Sequence, residues 1–268
     1  MSGGIREDLD YFPLSVEYVE RLYAGGKIKG SRWVKREGRP SDEAILTARL
    51  IDRSVRPLFP KEYKNETQIV VTVLSVDGEN EPDILSLIAV SAALSISKIP
   101  WNGPIAATRI GFVEEGFLVN PGGTELGLSE LDLVISQTKE KTVMMEAGAF
   151  QVSEDTVLSA IEKAHEINRS VIKAIEEFVA KVGEEKEKVV QNTILLELAA
   201  KVEKFHKQDL VSLVIARATK ESTGTEMEDL IDRIFDDEKT ANEEQKIDKK
   251  TIAKAVEKVF YKIIQDNV

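Results

Sequence analysis

All eight prolines of this 268-residue chain lie before residue 150, and beyond it glycine recurs only at Gly183 and Gly224. Proline cannot continue a helix or donate to a central strand ladder, and glycine marks turns, so the asymmetry divides the chain. The first part turns often and mixes β-branched runs with two helical stretches. The second part reads as helix throughout. The fold class that follows is α+β: a core of mixed sheets with packed helices, then an all-α helical domain. We place the core at residues 1–182, a charged linker at 183–190, and the helical domain at 191–268.

Within the first part, residues 11–18 (YFPLSVEY) alternate as a strand, with Pro13 marking an edge or bulge. Residues 67–76 (TQIVVTVLSV) read as a second strand. Residues 105–113 and 117–120 bracket a turn, as do 131–137 and 142–146, giving two hairpins. One helix starts after Pro40, with Ser41 as N-cap and Asp42 and Glu43 beside the positive helix end, and stops before Pro57. Another covers Asp83 to Ser97, apolar all round and therefore buried. An amphipathic helix spans 153–182, and four more are expected at 192–206, 208–221, 226–236 and 248–266.

Composition excludes several functions. No cysteine is present, so disulfides, thiol catalysis and cysteine-based zinc sites are ruled out. The two histidines, His165 and His206, sit in helical, charge-rich sequence and offer little to a metal site or a Ser-His-Asp triad. The longest uncharged stretch, Ile84 to Ser97, is too short to cross a bilayer. No basic-then-apolar leader opens the chain, so the expected compartment is the cytoplasm, with no membrane partner.

Charge is unevenly placed. The chain carries a net charge of -11, yet residues 21–61 are rich in Lys and Arg and poor in Asp and Glu. A basic block in an acidic protein is not needed for solubility; it holds something anionic. In the run Arg32-Trp33-Val34-Lys35-Arg36-Glu37-Gly38-Arg39, cations flank an aromatic ring. That pairing grips single strands: charge for the backbone, a ring for base stacking. The competing reading is a solvated hairpin whose Trp33 packs on its own domain. Farther on, Arg49, Arg53 and Arg56 fall at i, i+4 and i+7 on one helix face. Guanidinium groups suit phosphate oxygens; the alternative is pairing with neighbouring carboxylates.

Catalytic groups are sparse. Asp77, Glu79, Glu81 and Asp83 crowd one loop, but their spacing fits no calcium loop, and Pro82-Asp83 makes a helix start. Asp132 stands inside a strand as a lone acid. The run Glu184 to Lys188 reads as solvated.

FPLSVEY, ERLYAGGKIKGS, KREGRPSDEAILTARLIDRSVRPLFP, NEPDILSLIAVSAALS and NGPIAATRIGF together closely resemble bacterial polynucleotide phosphorylase, over about residues 10–180. The helical remainder resembles the all-helical insert of the same family. The resemblance implies a cytoplasmic, homotrimeric, phosphate-dependent 3′-to-5′ exoribonuclease and nucleotidyltransferase acting in mRNA degradation, alongside other RNA-degradation components. It implies two RNase PH-type cores, of which this chain carries the first. It also implies that strands expected before FPLSVEY are absent and that Val268 falls near the start of the second core, as in a fragment or truncated product.

The active site of that family belongs to the second core, which uses Mg²⁺ and inorganic phosphate; no cofactor is expected in this chain. Where the active core has a Ser-rich phosphate turn, this chain has Glu81-Pro82-Asp83. Where it has two metal-binding aspartates and a lysine, this chain has Leu126, Asp132 and Val134. The expectation is a non-catalytic, trimer-forming core. Trp33, Val34, Lys35 and Arg36 match the run that lines the family's RNA channel, with Val34 departing from the aromatic pattern. Single-stranded RNA is thus expected at Trp33, Lys35, Arg36 and Arg39, with Arg49, Arg53 and Arg56 at phosphates. A purely structural oligomerisation domain and a regulatory small-anion site are the other readings.

Overall fold

The computed structural model describes residues 2–5, 11–27, 39–114, 116–189, 193–218, 224–241 and 248–266. The chain forms two compact units, Met1–Val189 and Val190–Val268.

The first unit begins with β1 (Ser2–Ile5) and β2 (Leu14–Val19), then helix α1 (Asp42–Val55), β3 (Asn65–Thr72) and helix α2 (Pro82–Ile96). Strands β4 (Ala106–Val113) and β5 (Gly116–Val119), a single turn α3 (Gly123–Leu126), β6 (Leu131–Gln137), β7 (Thr142–Ala149) and the long α4 (Glu154–Val182) complete it. One sheet has the order β1-β3-β2, with β1 antiparallel and β2 parallel to β3. The other is an antiparallel meander-like sheet of order β5-β4-β6-β7.

Burial explains the layering. Strand β6 alternates two apolar faces: Val134 joins the core of α1, α2 and the first sheet, while Leu131, Leu133 and Ile135 join Ala160 and Ala164 of α4. Both faces of the second sheet are therefore covered, α1 and α2 on one and α4 on the other. The small residues Ala160 and Ala164 let α4 approach closely, and Asn168 accepts a hydrogen bond from Thr108 Oγ1 at 2.7 Å in that interface. At α2, Ser91 Oγ accepts from Ile105 N, and Trp101 Nε1 donates to Val55 O, so both helices are pinned to the chain that leads into β4.

Strand β1 lies ahead of FPLSVEY and pairs with β3 although its Gly3-Gly4 pair has little intrinsic strand preference. One sequence expectation is corrected in this unit. The strand expected at 67–76 is shifted, starting at Asn65 and ending at Thr72. Beyond it the chain still holds on by Val73 N to Val19 O and Val76 N to Ala24 O.

Residues 183–189 have mostly exposed side chains but a fixed course. Glu184 N donates to Ile96 O, Glu187 N to Lys98 O, and Lys186 Nζ to Leu94 O and Ser97 O. Lys186 thus adds a donor to Leu94 O in the last turn of α2, which also accepts from Ser97 N and Ser97 Oγ, and to Ser97 O just past the helix. Burial pushes its amine below the ordinary lysine value.

The second unit holds α5 (Thr193–Ala218), α6 (Glu226–Ala241) and α7 (Lys249–Asp266). Its core gathers Leu198, Val202, Leu210, Leu230, Ile234, Ile252, Val256 and Val259. The two helices expected at 192–206 and 208–221 are one continuous helix. Nothing near Lys207 breaks it, since neither proline nor glycine occurs between 193 and 218.

Candidate nucleic-acid interface

Helix α1 presents the basic stripe. Ser41 Oγ accepts from Ala44 N at 3.0 Å and donates to Glu20 Oε2 at 2.8 Å, which ties the helix start to the end of β2. Ala44, Leu50, Ile51 and Val55 face the core, so the register of the arginines is fixed by burial on the opposite side.

The three arginines then meet different surroundings. Arg49 is exposed and, among the described residues, its guanidinium makes no hydrogen bond or ion pair. Arg53 lies 3.0 Å from Glu146 Oε2 of β7, with both side chains more than half exposed, a pairing of little energetic weight. Arg56 is occupied: Nε and Nη2 donate to Asp52, Nη1 to Phe12 O and Nη2 to Leu14 O. For Arg56 the geometry is that of the carboxylate-pairing alternative. Arg39 is exposed just before the helix and, like Arg49, has no ionic partner among the described residues. Trp33, Lys35 and Arg36, with Val34, lie outside the described residues.

A cleft of about 860 Å³ opens between β2 and α1. Arg21, Lys27, Arg39 and Arg49 line it together with Glu17, Glu20 and Asp52. Asp52 is paired with Arg56, whereas Glu17 and Glu20 are held by the neutral Gln68 and Ser41 side chains and keep their charge. Four cations against these two acids leave the lining positive on balance.

A second cluster joins α2, β4 and β6. Asp83, in the first turn of α2, accepts from Arg109 Nη2 at 3.0 Å, and Arg109 Nε stands 3.1 Å from Asp132 Oδ1. The latter contact is close enough for attraction but is not aligned as a hydrogen bond. Burial raises the Asp132 carboxyl above its ordinary range; Arg109 opposes this, and Asp83 and Glu146 add to it. Sequence reasoning did not single out Arg109. The available signal was one arginine inside the apolar run IAATRIGF.

These positions do not fit a magnesium ion. The carboxylate at Asp132 faces a guanidinium, Val134 is buried in the core, and Leu126 offers no ligand atom. Nor does the start of α2 suit an anion, because the Asp83 carboxylate stands in its first turn. Asp77 serves its own loop: it accepts from Glu79 N, Asn80 N and Asn80 Nδ2, which hold its carboxyl down to about 2.

Comparison with known sequences assigns the fold. Residues 2–100 match the pattern of the 3′ exoribonuclease family, domain 1, and residues 103–167 match domain 2 of the same family. The chain belongs to the 3′ exoribonuclease family. Within it, the chain corresponds to the first core of the polyribonucleotide nucleotidyltransferases. It is 50% identical over 202 residues to the polyribonucleotide nucleotidyltransferase of Alkaliphilus oremlandii, covering 75% of this chain and 28% of that protein. The enzyme of the same name from Deinococcus deserti is 53% identical over 181 residues, covering 68% of this chain and 25% of its own length. The chain thus spans about a quarter of these relatives.

Among solved structures, the Archaeoglobus fulgidus exosome with RNA bound to the active site superposes with a TM-score of 0.50 at 19% identity, over 66% of this chain and 76% of that one. At that identity the likeness concerns the fold, which is RNase PH-like with mixed sheets.

Proposed function

We propose that this chain is the RNA-gripping, non-catalytic first core of a phosphate-dependent 3′-to-5′ exoribonuclease, with its helical domain. The observation that carries the reading is that Arg39 and Arg49 line the cleft with no ionic partner among the described residues, Arg39 following the Trp33–Arg36 run in sequence. Phosphates of single-stranded RNA would meet Lys35, Arg36, Arg39 and Arg49, with bases stacking on Trp33. Arg53 joins them when it releases Glu146. Arg56 is a structural residue in this reading.

The non-catalytic part rests on the Asp83–Arg109–Asp132 cluster, where internal ion pairs stand in the place of phosphate and metal ligands. Mg²⁺, inorganic phosphate and the release of nucleoside diphosphates belong to the whole enzyme, as do the homotrimer, the cytoplasmic setting and mRNA degradation.

Poly(A) binding measured across a salt series tests the proposal. Binding should weaken steeply with salt, and a Lys35/Arg36 double alanine variant should lose affinity and flatten the slope, because phosphate contacts release counterions. Salt-independent binding, or no effect of the double variant, would leave only a structural domain. Phosphorolysis of poly(A) by the isolated chain, abolished by Asp132→Ala, would overturn the non-catalytic assignment.

A further inference from the structure

The last residues of the first unit, 183–189, form a strap across the C-terminal end of α2. The strap leaves α4 at Gly183, whose N–H donates to Val179 O, and a Cβ there would stand 2.6 Å from that same oxygen. Only glycine takes this exit without a clash. Glu184 N then donates to Ile96 O and Glu187 N to Lys98 O, which lays the strap along the last turn of α2 and the chain just beyond it. Lys186 and Val189 are its half-buried residues; Glu184, Glu185, Glu187 and Lys188 are exposed.

The charges of the strap are not equivalent. A helix C-terminus carries partial negative charge and favours cations, yet α2 has no basic residue in its own last turn. Glu184 and Glu187 are bonded there through their backbones, so the strap brings carboxylates to an unfavourable end. Lys98 stands 3.4 Å from Glu184 Oε2, but both side chains are more than half exposed, and such a pair weighs little. Lys186 offsets the acids, because its ammonium donates to Leu94 O at 2.6 Å and to Ser97 O at 2.8 Å. Against the entropy of ordering seven residues, the strap sets two backbone bonds to the α2 end, this ammonium, and Val189 packed on the first core. A segment held by so few contacts opens locally before its domain unfolds.

We propose that residues 183–189 are a releasable tether and that the Lys186 ammonium is its lock. With the lock closed, the chain is fixed up to Val189, immediately before the helical unit. With it open, the strap acids face the carbonyl end of α2 without the cation that offsets them, and the strap detaches. Release frees seven residues, roughly 23–25 Å of chain when extended. One side chain thus sets the reach of the helical unit. The proposal stands on these contacts and not on the RNA reading.

Variants of the whole chain test it. Lys186→Met keeps most of the half-buried stem and removes the ammonium. Lys188→Gln removes the same charge from the exposed neighbour. Amide hydrogen exchange at Glu184 and Glu187 should quicken at least tenfold in Lys186→Met and stay within threefold of the parent in Lys188→Gln. Exchange in β4 and β6 should not change in either variant. Small-angle X-ray scattering should show a greater maximum dimension for Lys186→Met alone. The proposal falls if Lys186→Met leaves exchange at Glu184 and Glu187 unchanged. It falls equally if Lys188→Gln quickens that exchange as much, which would reduce the effect to net charge. Failure of Lys186→Met to fold, or faster exchange throughout the first unit, would make Lys186 a structural part of the core and overturn the proposal. Faster exchange at an unchanged maximum dimension would show a frayed edge and no tether, and overturns it as well.

Discussion

Arg109 Nη2 lies 3.0 Å from Asp83 Oδ2, with the two side chains only 15% and 13% exposed. This ion pair fastens the first turn of α2 to the middle of β4. Breaking it from one side strands a charge away from water. Arg109→Ala should therefore destabilise the first unit by roughly 3–5 kcal/mol, whereas the double variant Arg109→Met with Asp83→Leu should recover much of the loss. Urea unfolding followed by tryptophan fluorescence measures both. A single-variant cost below about 1 kcal/mol, the range of exposed pairs, would show the cluster to be solvated.

The Asp132 carboxyl gives a pH signature. Its native value is raised above 3.8, chiefly by burial. A raised carboxyl binds more protons in the native state than in the unfolded one. Its stabilising contribution is therefore full below the ordinary carboxylate range and is lost as pH rises through the native value. Asp132→Asn removes that loss, so the variant should match or exceed the parent at pH 7, with the gap closing toward pH 3. A variant clearly weaker at pH 7 would mean that attraction to Arg109 outweighs burial.

Asp77 runs in the opposite direction. Its carboxyl is held down to about 2 by the Asn80 and Glu79 donors. That contribution is present above the ordinary carboxylate range and lost as pH falls toward about 2. Asp77→Ala should flatten the acid limb of the stability curve between those limits. Hydrogen exchange at Glu79 and Asn80 should rise in the same variant, and unchanged protection there would count against the loop's dependence on Asp77.

Ser41 offers a test of the join between helix and basic loop. Its hydroxyl satisfies Ala44 N while donating to Glu20. Ser41→Ala should cost about 1 kcal/mol, and Ser41→Gly only a few tenths. Because Arg39 lies two residues before the cap, Ser41→Ala should also weaken poly(A) binding while leaving the salt slope unchanged. A changed slope would mean that the cap alters the number of phosphates held.

The fold was legible wherever a local signal agreed with the tertiary outcome. Ser41 caps α1 as its sequence position implies, and the apolar run after Asp83 is the buried α2. Strand β1 was not legible, because its Gly3-Gly4 pair becomes a strand only through pairing with β3. At the site, the spacing of Arg49, Arg53 and Arg56 was legible from helical periodicity, but their different partners were not. Glu146 is 93 residues from Arg53, and Phe12 is 44 from Arg56. Contacts at such separation leave no local trace. Arg109 went unnoticed for the same reason, since Asp83 lies on another element 26 residues away.

Arg49 and Arg56, seven residues apart on one helix, should separate RNA binding from stability. Arg49 has no partner among the described residues, so Arg49→Ala should leave stability within about 0.5 kcal/mol. It should lower poly(A) affinity and reduce the log–log salt slope by roughly 0.7, the value of one phosphate on a single strand. Arg56→Ala removes an ion pair and leaves Phe12 O and Leu14 O without their donor. It should cost roughly 2–3 kcal/mol and leave the salt slope unchanged under conditions where the chain is folded. Urea unfolding and salt-dependent anisotropy on the two variants decide between these roles. If Arg56→Ala changed the slope and Arg49→Ala did not, the phosphate contact would belong to the paired arginine, and the RNA grip assigned to Arg49 would be withdrawn.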